Sequence, residues 1–307
     1  MKVAITGATG FVGRRLVERL IQSGHQAVVF VRNAGKARKL FDKYDSSELE
    51  IVTYQPKQSG DWQPLLAACD GVVNLAGEPL FDERWNANAK QEILDSRVLG
   101  THKLVEAIAQ SEAKPQVMVS ASAVGYYGTS ETTLFDETSS PGEDFLAQVC
   151  QAWEASAHPV EALGVRLAIV RIGIVLGPKG GALARMLPPF ELFGGGPIGS
   201  GRQWVPWVHR DDLVSLILQI LTTPSMAGVF NATAPHPQRM SDFSKTLGNV
   251  LHRPSWLPVP GFALELLLGE AAQVVLQGQH VQPKRTQEAG FSFQYPDLKG
   301  ALTQILK

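Results

Sequence analysis

Apolar and polar positions in the first thirty-two residues define one supersecondary unit. Lys2-Val3-Ala4-Ile5-Thr6 is a short apolar run with β-branched members, the pattern of a buried strand. Arg14 to Ser23 carries Leu16, Val17, Leu20 and Ile21 at helical spacing, and Gly24-His25 ends that helix. Ala27 to Val31 is apolar throughout and predicts a second buried strand. Between the first strand and the helix lies a glycine-rich turn, Gly7-Ala8-Thr9-Gly10-Phe11-Val12-Gly13.

The alternation of strands and helices continues down the chain. Ile51 to Tyr54 predicts a third strand, and Asp61 is expected to cap the short helix after it, with a cofactor role as the lesser alternative. Gly71-Val72-Val73-Asn74 is a fourth strand, followed by a loop holding Trp85 and a long helix to about Gln110. Val117-Met118-Val119 is the fifth strand. Asp144 to Leu163 is a helix with Phe145, Val149, Trp153 and Ala157 on one face, and Val165 to Arg171 is the sixth strand. Asp211 to Thr223 predicts another helix and Val229 to Ala232 a further strand. Helices then begin near Ser241, Phe262 and Pro296. The expected fold is α/β, a Rossmann doubly wound parallel sheet with a small, mostly helical C-terminal lobe. Residues 1–234 form the nucleotide domain, with 178–207 contributing to a substrate crevice, and residues 235–307 form the lobe.

The turn carries the first chemistry. Gly7 permits a tight exit from the strand, Gly10 lets the backbone approach a pyrophosphate, and Gly13 lets helix and strand pack closely. Thr9, Phe11 and Val12 complete the turn and the helix start, whose free N–H groups and dipole favour phosphate. Arg32 follows the second strand where an acid would bind ribose hydroxyls in an NAD site. A cation there suits the 2′-phosphate of NADP(H), with Lys36 and Arg38 as possible helpers. Asn74-Leu75-Ala76-Gly77 ends the fourth strand in small residues that let a cofactor lie against backbone, and Glu78 follows. Arg97, inside the long helix, is expected either to reach cofactor or substrate or to form a surface ion pair. The fifth strand runs into Ser120 to Gly128. There Ser122, Tyr126 and Tyr127 are the candidate catalytic groups, because hydroxyls at a strand's carboxyl end belong in the ligand crevice. Glu154 and Ile174 complete the expected cofactor contacts, and His209 either touches substrate or anchors its loop.

Charge narrows the partners. Lys and Arg number 28 against 29 Asp and Glu, so nothing recommends nucleic acid or an anionic membrane. Phe262 to Leu276 is broken by Glu265, Glu270 and Gln273, too polar and short to span a bilayer. Cys69 and Cys150 sit in apolar helical patterns and read as reduced thiols of a cytoplasmic protein. Met1-Lys2-Val3 enters a strand at once, leaving no room for a secretory signal. No metal site is expected. The expected partner is a small-molecule substrate, and the expected state is a monomer or homodimer.

The glycine turn, Asn74 to Gly77, the Ser120/Ser122 strand end, Arg171 to Pro178, and Trp204 to Leu213 together resemble the extended short-chain dehydrogenase/reductases, the NAD(P)-dependent epimerase/dehydratase group. Ser122 to Gly128, Trp153-Glu154, Gly195 to Gly201, and Gly278 to Arg285 are similar to an atypical subfamily, the YfcH-type epimerase-family proteins. The resemblance covers nearly the whole chain. It implies an NADP(H)-binding oxidoreductase or epimerase acting on a small carbonyl or sugar-nucleotide-like substrate, with the C-terminal lobe over the nicotinamide end of the crevice. One departure matters. The family requires Tyr-x-x-x-Lys on the helix after the fifth strand, so that phenol and ammonium share a face. Counting back from Glu154, those positions are Leu146 and Cys150, and Asp144 to Glu154 contains neither Tyr nor Lys. Proton transfer is then expected to run through Tyr126 with Ser122, or through Tyr127. The alternative is an NADPH-binding sensor or interaction protein without turnover.

Overall fold

The computed structural model describes all 307 residues, Met1–Lys307. Seven parallel strands form the central sheet: β1 Lys2–Thr6, β2 Gln26–Val31, β3 Leu49–Thr53, β4 Gly71–Asn74, β5 Val117–Ala123, β6 Arg166–Ile172 and β7 Gly228–Ala232. Their order is β7-β6-β5-β4-β1-β2-β3, so the winding reverses between β1 and β4. The carboxyl ends of those two strands are the switch point at which this architecture binds ligands.

Strand side chains alternate between faces, and each face has its own helices. Val3 and Ile5 pack with α1 (Phe11–Gln22) and α6 (Arg210–Thr222), through Leu16, Val17, Leu20, Leu213, Leu216 and Ile217. Ala4, Val28, Val72 and Met118 face α3 (Ala87–Gln110), through Leu104 and Ile108. Burial on both faces explains why these strands are almost wholly apolar. A third core joins Leu176, Val205 and Trp207, with Leu183 and Phe190 of α5 (Gly181–Glu191), to the C-terminal helices, through Phe243, Leu247 and Leu302. The second body thus draws residues from both sides of position 234.

Three short two-stranded ladders lie outside the central sheet. Ile174–Leu176 pairs in parallel with Trp207–His209, Gln238–Arg239 antiparallel with Trp204–Val205, and His280–Val281 in parallel with Leu134–Phe135. Asp61 does not cap the following helical turn. That turn, Gln63–Ala68, is 3-10; its Gln63 N–H donates to the Gly60 carbonyl at 3.0 Å, and Pro64 has no N–H to be capped. No helix is long and apolar enough to cross a membrane.

Candidate functional site

The switch point opens into a cavity of about 370 Å³. Gly7, Thr9 and Gly10 form one wall, Val31-Arg32 and Gln55 to Gln58 the outer side, and Leu75 to Pro79 the other lip. Gly7 stands at φ +69°, and a Cβ there would lie 2.7 Å from the Leu75 carbonyl. A Cβ on Gly13 would come within 2.2 Å of the Gly7 oxygen, so α1 and the turn touch only because both residues lack side chains. Gly10 differs: its backbone is extended and a Cβ would meet only the Gly7 oxygen, at 3.1 Å. The space in front of Gly10 is therefore open, and no side chain caps α1. Its first N–H groups are left for an anion.

Arg32 is well exposed at the mouth, 3.8 Å from the Glu78 carboxylate. Lys36 and Arg38 do not line the cavity. The segment containing them is α2 (Ala34–Leu40), whose N-cap Asn33 accepts from the Lys36 N–H at 2.9 Å. Asn74 was expected to touch the cofactor, but its side chain lies in a buried knot. It accepts from Thr6 Oγ1 at 2.7 Å and donates to Thr101 Oγ1 at 2.8 Å, while Thr6 Oγ1 accepts from the Ala76 N–H. The knot holds the two lips of the cavity in register. Phe11, Val12 and Gly13 do not line this cavity either. The Phe11 ring packs where Cβ atoms of Gly177, Gly180 and Gly181 would stand, beneath the Arg210 guanidinium.

A second chamber of about 270 Å³ lies on the other side of Gly77. Its wall includes Trp85, Arg97, Phe145, Leu146, Val149, Cys150, Trp153, Ile174 and Trp204. Leu146 and Cys150 sit in α4 (Phe145–Ala157), one turn apart, so the positions of the missing Tyr and Lys do face this chamber. Burial pushes the Cys150 thiol up to about 11. Gln273, Val274 and Gln277 to Gln279 close the chamber from the lobe. A Cβ on Gly278 would lie 1.9 Å from the Trp204 oxygen, and His280 stacks on the Trp204 ring at 3.8 Å. The family resemblance puts the lobe over the crevice, but of these closing residues only Gly278 and Gln279 fall in the motif Gly278 to Arg285. The residues after β3 that line the first cavity, Gln55 to Gln58, were missed as well.

Ser122, Tyr126, Tyr127 and Glu154 do not line the chamber, which corrects their expected placement there. The cause is strand length. β5 does not stop at Val119 but stays paired with β6 through Ala123, so Ser122 lies in the sheet directly beside Arg171, with Asn231 of β7 on its far side. This polar row is roofed by Glu154 of α4. Ser122 Oγ donates to Glu154 Oε1 at 2.6 Å, and Arg171 donates from Nε and an η nitrogen to the two carboxylate oxygens, each at 2.8 Å. Its other η nitrogen donates to the Tyr127 hydroxyl at 3.0 Å, which donates to Asn231 Oδ1 at 2.7 Å. Tyr126 lies flat under the same guanidinium, 3.3 Å from ring centroid to Cζ. Burial lowers the Arg171 pKa, but Glu154 outweighs it and the net shift is upward. Burial pushes the Tyr127 phenol up to about 12, despite Arg171 beside it. His209 is not at the chamber: it caps α6 by accepting from the Asp211 N–H, and its Nε2 meets Gln304. Arg97 makes no surface ion pair.

A parallel sheet reversed at its first strand, an uncapped helix behind a glycine turn, and a lidded chamber alongside define a nucleotide-binding protein of the short-chain dehydrogenase/reductase type. The chain belongs to the NAD dependent epimerase/dehydratase family, which matches residues 3–232, and residues 259–305 match a domain of unknown function (DUF1731). It is similar to an Arabidopsis thaliana chloroplastic homolog of epimerase family protein SDR39U1, 50% identical over all of this chain and 87% of the relative. It is also similar to Bacillus subtilis epimerase family protein YfhF, 38% identical over 100% of this chain and 98% of the relative. Among solved structures, human epimerase family protein SDR39U1 (isoform 2), crystallised with NADPH, superposes with a TM-score of 0.87 at 34% identity, covering 99% of each chain.

Proposed function

We propose that this protein binds NADP(H) across the β1/β4 switch point and acts as an atypical oxidoreductase or epimerase-like enzyme on a small carbonyl compound. The observation that carries this reading is the first cavity. It has an open, uncapped glycine turn on one side and Arg32, not an acid, directly after β2. Thr9 and Gly10 would hold the diphosphate through backbone N–H groups, and Arg32 the 2′-phosphate. The cofactor supplies a hydride when bound. Trp85, Phe145, Leu146 and Trp153 exclude water from the neighbouring chamber, and their apolar faces suit a compact carbonyl compound better than a sugar nucleotide. Ser122 and Glu154 act indirectly, by holding α4 against β5 and β6. The two buried, unbridged thiols fit the reducing interior of a cytoplasm.

A second reading, cofactor binding without turnover, is favoured by one observation. Leu146 and Cys150 stand in the chamber wall where the family has its proton-donating Tyr and its Lys. Calorimetry with NADPH and NADH, followed by NADPH oxidation across a panel of small aldehydes and ketones, separates the readings. Tight NADPH binding with oxidation of at least one panel member supports the first. Tight binding with no oxidation across the panel removes the reductase form of the first reading and favours the second.

A further inference from the structure

The second chamber holds a cation that has no counter-charge. Arg97 is the only basic side chain in its wall. Its two η nitrogens donate to backbone carbonyls, of Ile93 at 2.9 Å and Glu78 at 3.0 Å. Its Cζ stands 5.2 Å over the Trp153 ring, and the guanidinium packs where a Cβ on Gly77 would be, 3.0 Å away. A guanidinium has five N–H donors, so three have no acceptor from the protein. Burial lowers its pKa, with Cys150 and Glu78 acting weakly the other way, but an arginine stays charged. The Glu78 carboxylate instead faces Arg32. Asp144 is the only acid in the wall, and it is engaged as the N-cap of α4, accepting from the Ala147 N–H at 2.9 Å. Arg97 is half-buried, so its remaining donors are left to water or to a ligand that enters the chamber. Arg97 moreover opens on the second chamber and not on the first cavity, where the glycine turn already serves phosphate.

We infer that Arg97 anchors the anionic group of the substrate, and that the chamber takes a compact, mostly apolar monocarboxylate bearing the carbonyl. This rests on reading the chamber as the substrate side of an NADP(H) site. Two features limit the class. At about 30 Å³ per water, 270 Å³ is room for about nine waters, enough for a small aromatic or branched acid. Asp144 in the same wall disfavours a second negative charge. Trp85, Phe145, Leu146 and Trp153 surround the rest of the molecule with apolar faces.

The test uses the whole protein, with and without saturating NADPH, and reads binding rather than turnover. Benzoate, phenylacetate and 4-methyl-2-oxopentanoate are titrated by calorimetry, with benzamide as the uncharged match for benzoate. At least one acid binds saturably, and where benzoate binds, benzamide binds at least about tenfold more weakly. Arg97→Met weakens acid binding by about 10- to 100-fold and retains NADPH, while Arg97→Lys recovers part of the acid affinity. Should Arg97→Met not fold, the comparison of acid with amide on the parent protein decides. Failure of all three acids, equal binding of benzoate and benzamide, or undiminished acid binding by Arg97→Met overturns the inference. Loss of NADPH rather than acid in Arg97→Met also overturns it while leaving the NADP(H) reading intact. A parent protein that discriminates acid from amide but binds no NADPH sinks the cofactor reading and leaves Arg97 as an anion anchor.

Discussion

Replacing Glu154 by Gln keeps the shape of the side chain and removes its charge, leaving the Arg171 guanidinium without a counter-ion. Arg171 is 3% exposed and Glu154 6%, so water cannot take over the lost interaction. Both 2.8 Å bonds from Arg171 weaken at once, and Ser122 loses a charged acceptor. Removing one partner of a buried pair costs about 3–5 kcal/mol. Gln still accepts one bond from Arg171, which places the expected loss near the lower end. Unfolding entropy of ~2.1 cal/mol/K per residue gives on the order of 0.6 kcal/mol/K for this chain, so a loss near 3 kcal/mol lowers the melting temperature by about 5 °C. Scanning calorimetry and urea titration at neutral pH measure this, with NADPH affinity taken well below either transition. The affinity stays within about threefold, because Glu154 faces the sheet and not the first cavity. A melting temperature lowered by less than about 1 °C, with NADPH affinity lost, would refute the reasoning and return Glu154 to the cofactor.

Three further outcomes are expected. Gly10 has an extended backbone where a Cβ meets only the Gly7 oxygen, at 3.1 Å, so Gly10→Val leaves the protein folded at a cost of about 1 kcal/mol while NADPH binding disappears by calorimetry. Retained binding would put the phosphate elsewhere. Arg32→Ala removes most of the preference for NADPH over NADH, a difference of about 1.5–3 kcal/mol from hydrogen bonds to a charged group. Equal affinities in the unmodified protein would sink the 2′-phosphate assignment. Burial holds both the Cys69 and Cys150 thiols at about 11, so only about one in a thousand is thiolate at pH 8. A disulfide dye therefore reacts slowly with native protein, faster as pH rises toward 11, and at once with two thiols after unfolding. Rapid labelling of native protein at pH 8 contradicts the buried placement.

What the sequence discloses here is whatever depends on local pattern. The order of strands, the glycine turn and the long helix to Gln110 follow from apolar period and punctuation. So does the face of α4 that carries Leu146 and Cys150, because a four-residue spacing fixes one helical side. The Ser122, Tyr126 and Tyr127 placements failed for a different reason. Whether Ser122 ends a strand or lies inside one is decided by pairing with Arg171, forty-nine positions away, and register across a sheet leaves no local trace. Polar residues at a strand end look the same whether they face a crevice or a buried arginine. Asp61 fails as a cap because the Gln63 N–H goes to the Gly60 carbonyl at 3.0 Å and Pro64 has no N–H to donate. The chamber's lid, Gln273 to Gln279, comes from the lobe, and only the close approach of Gly278 to Trp204 explains its glycine.

Binding of NADPH across the β1/β4 switch point, with its nicotinamide end at the mouth of the tryptophan-lined chamber, is the central claim, and energy transfer tests it directly. Trp85, Trp153 and Trp204 all face the second chamber. On titration with NADPH, tryptophan emission is quenched and reduced-nicotinamide emission rises in parallel, both saturating at micromolar cofactor, with NADH far weaker. No change in either signal up to millimolar NADPH would contradict the account.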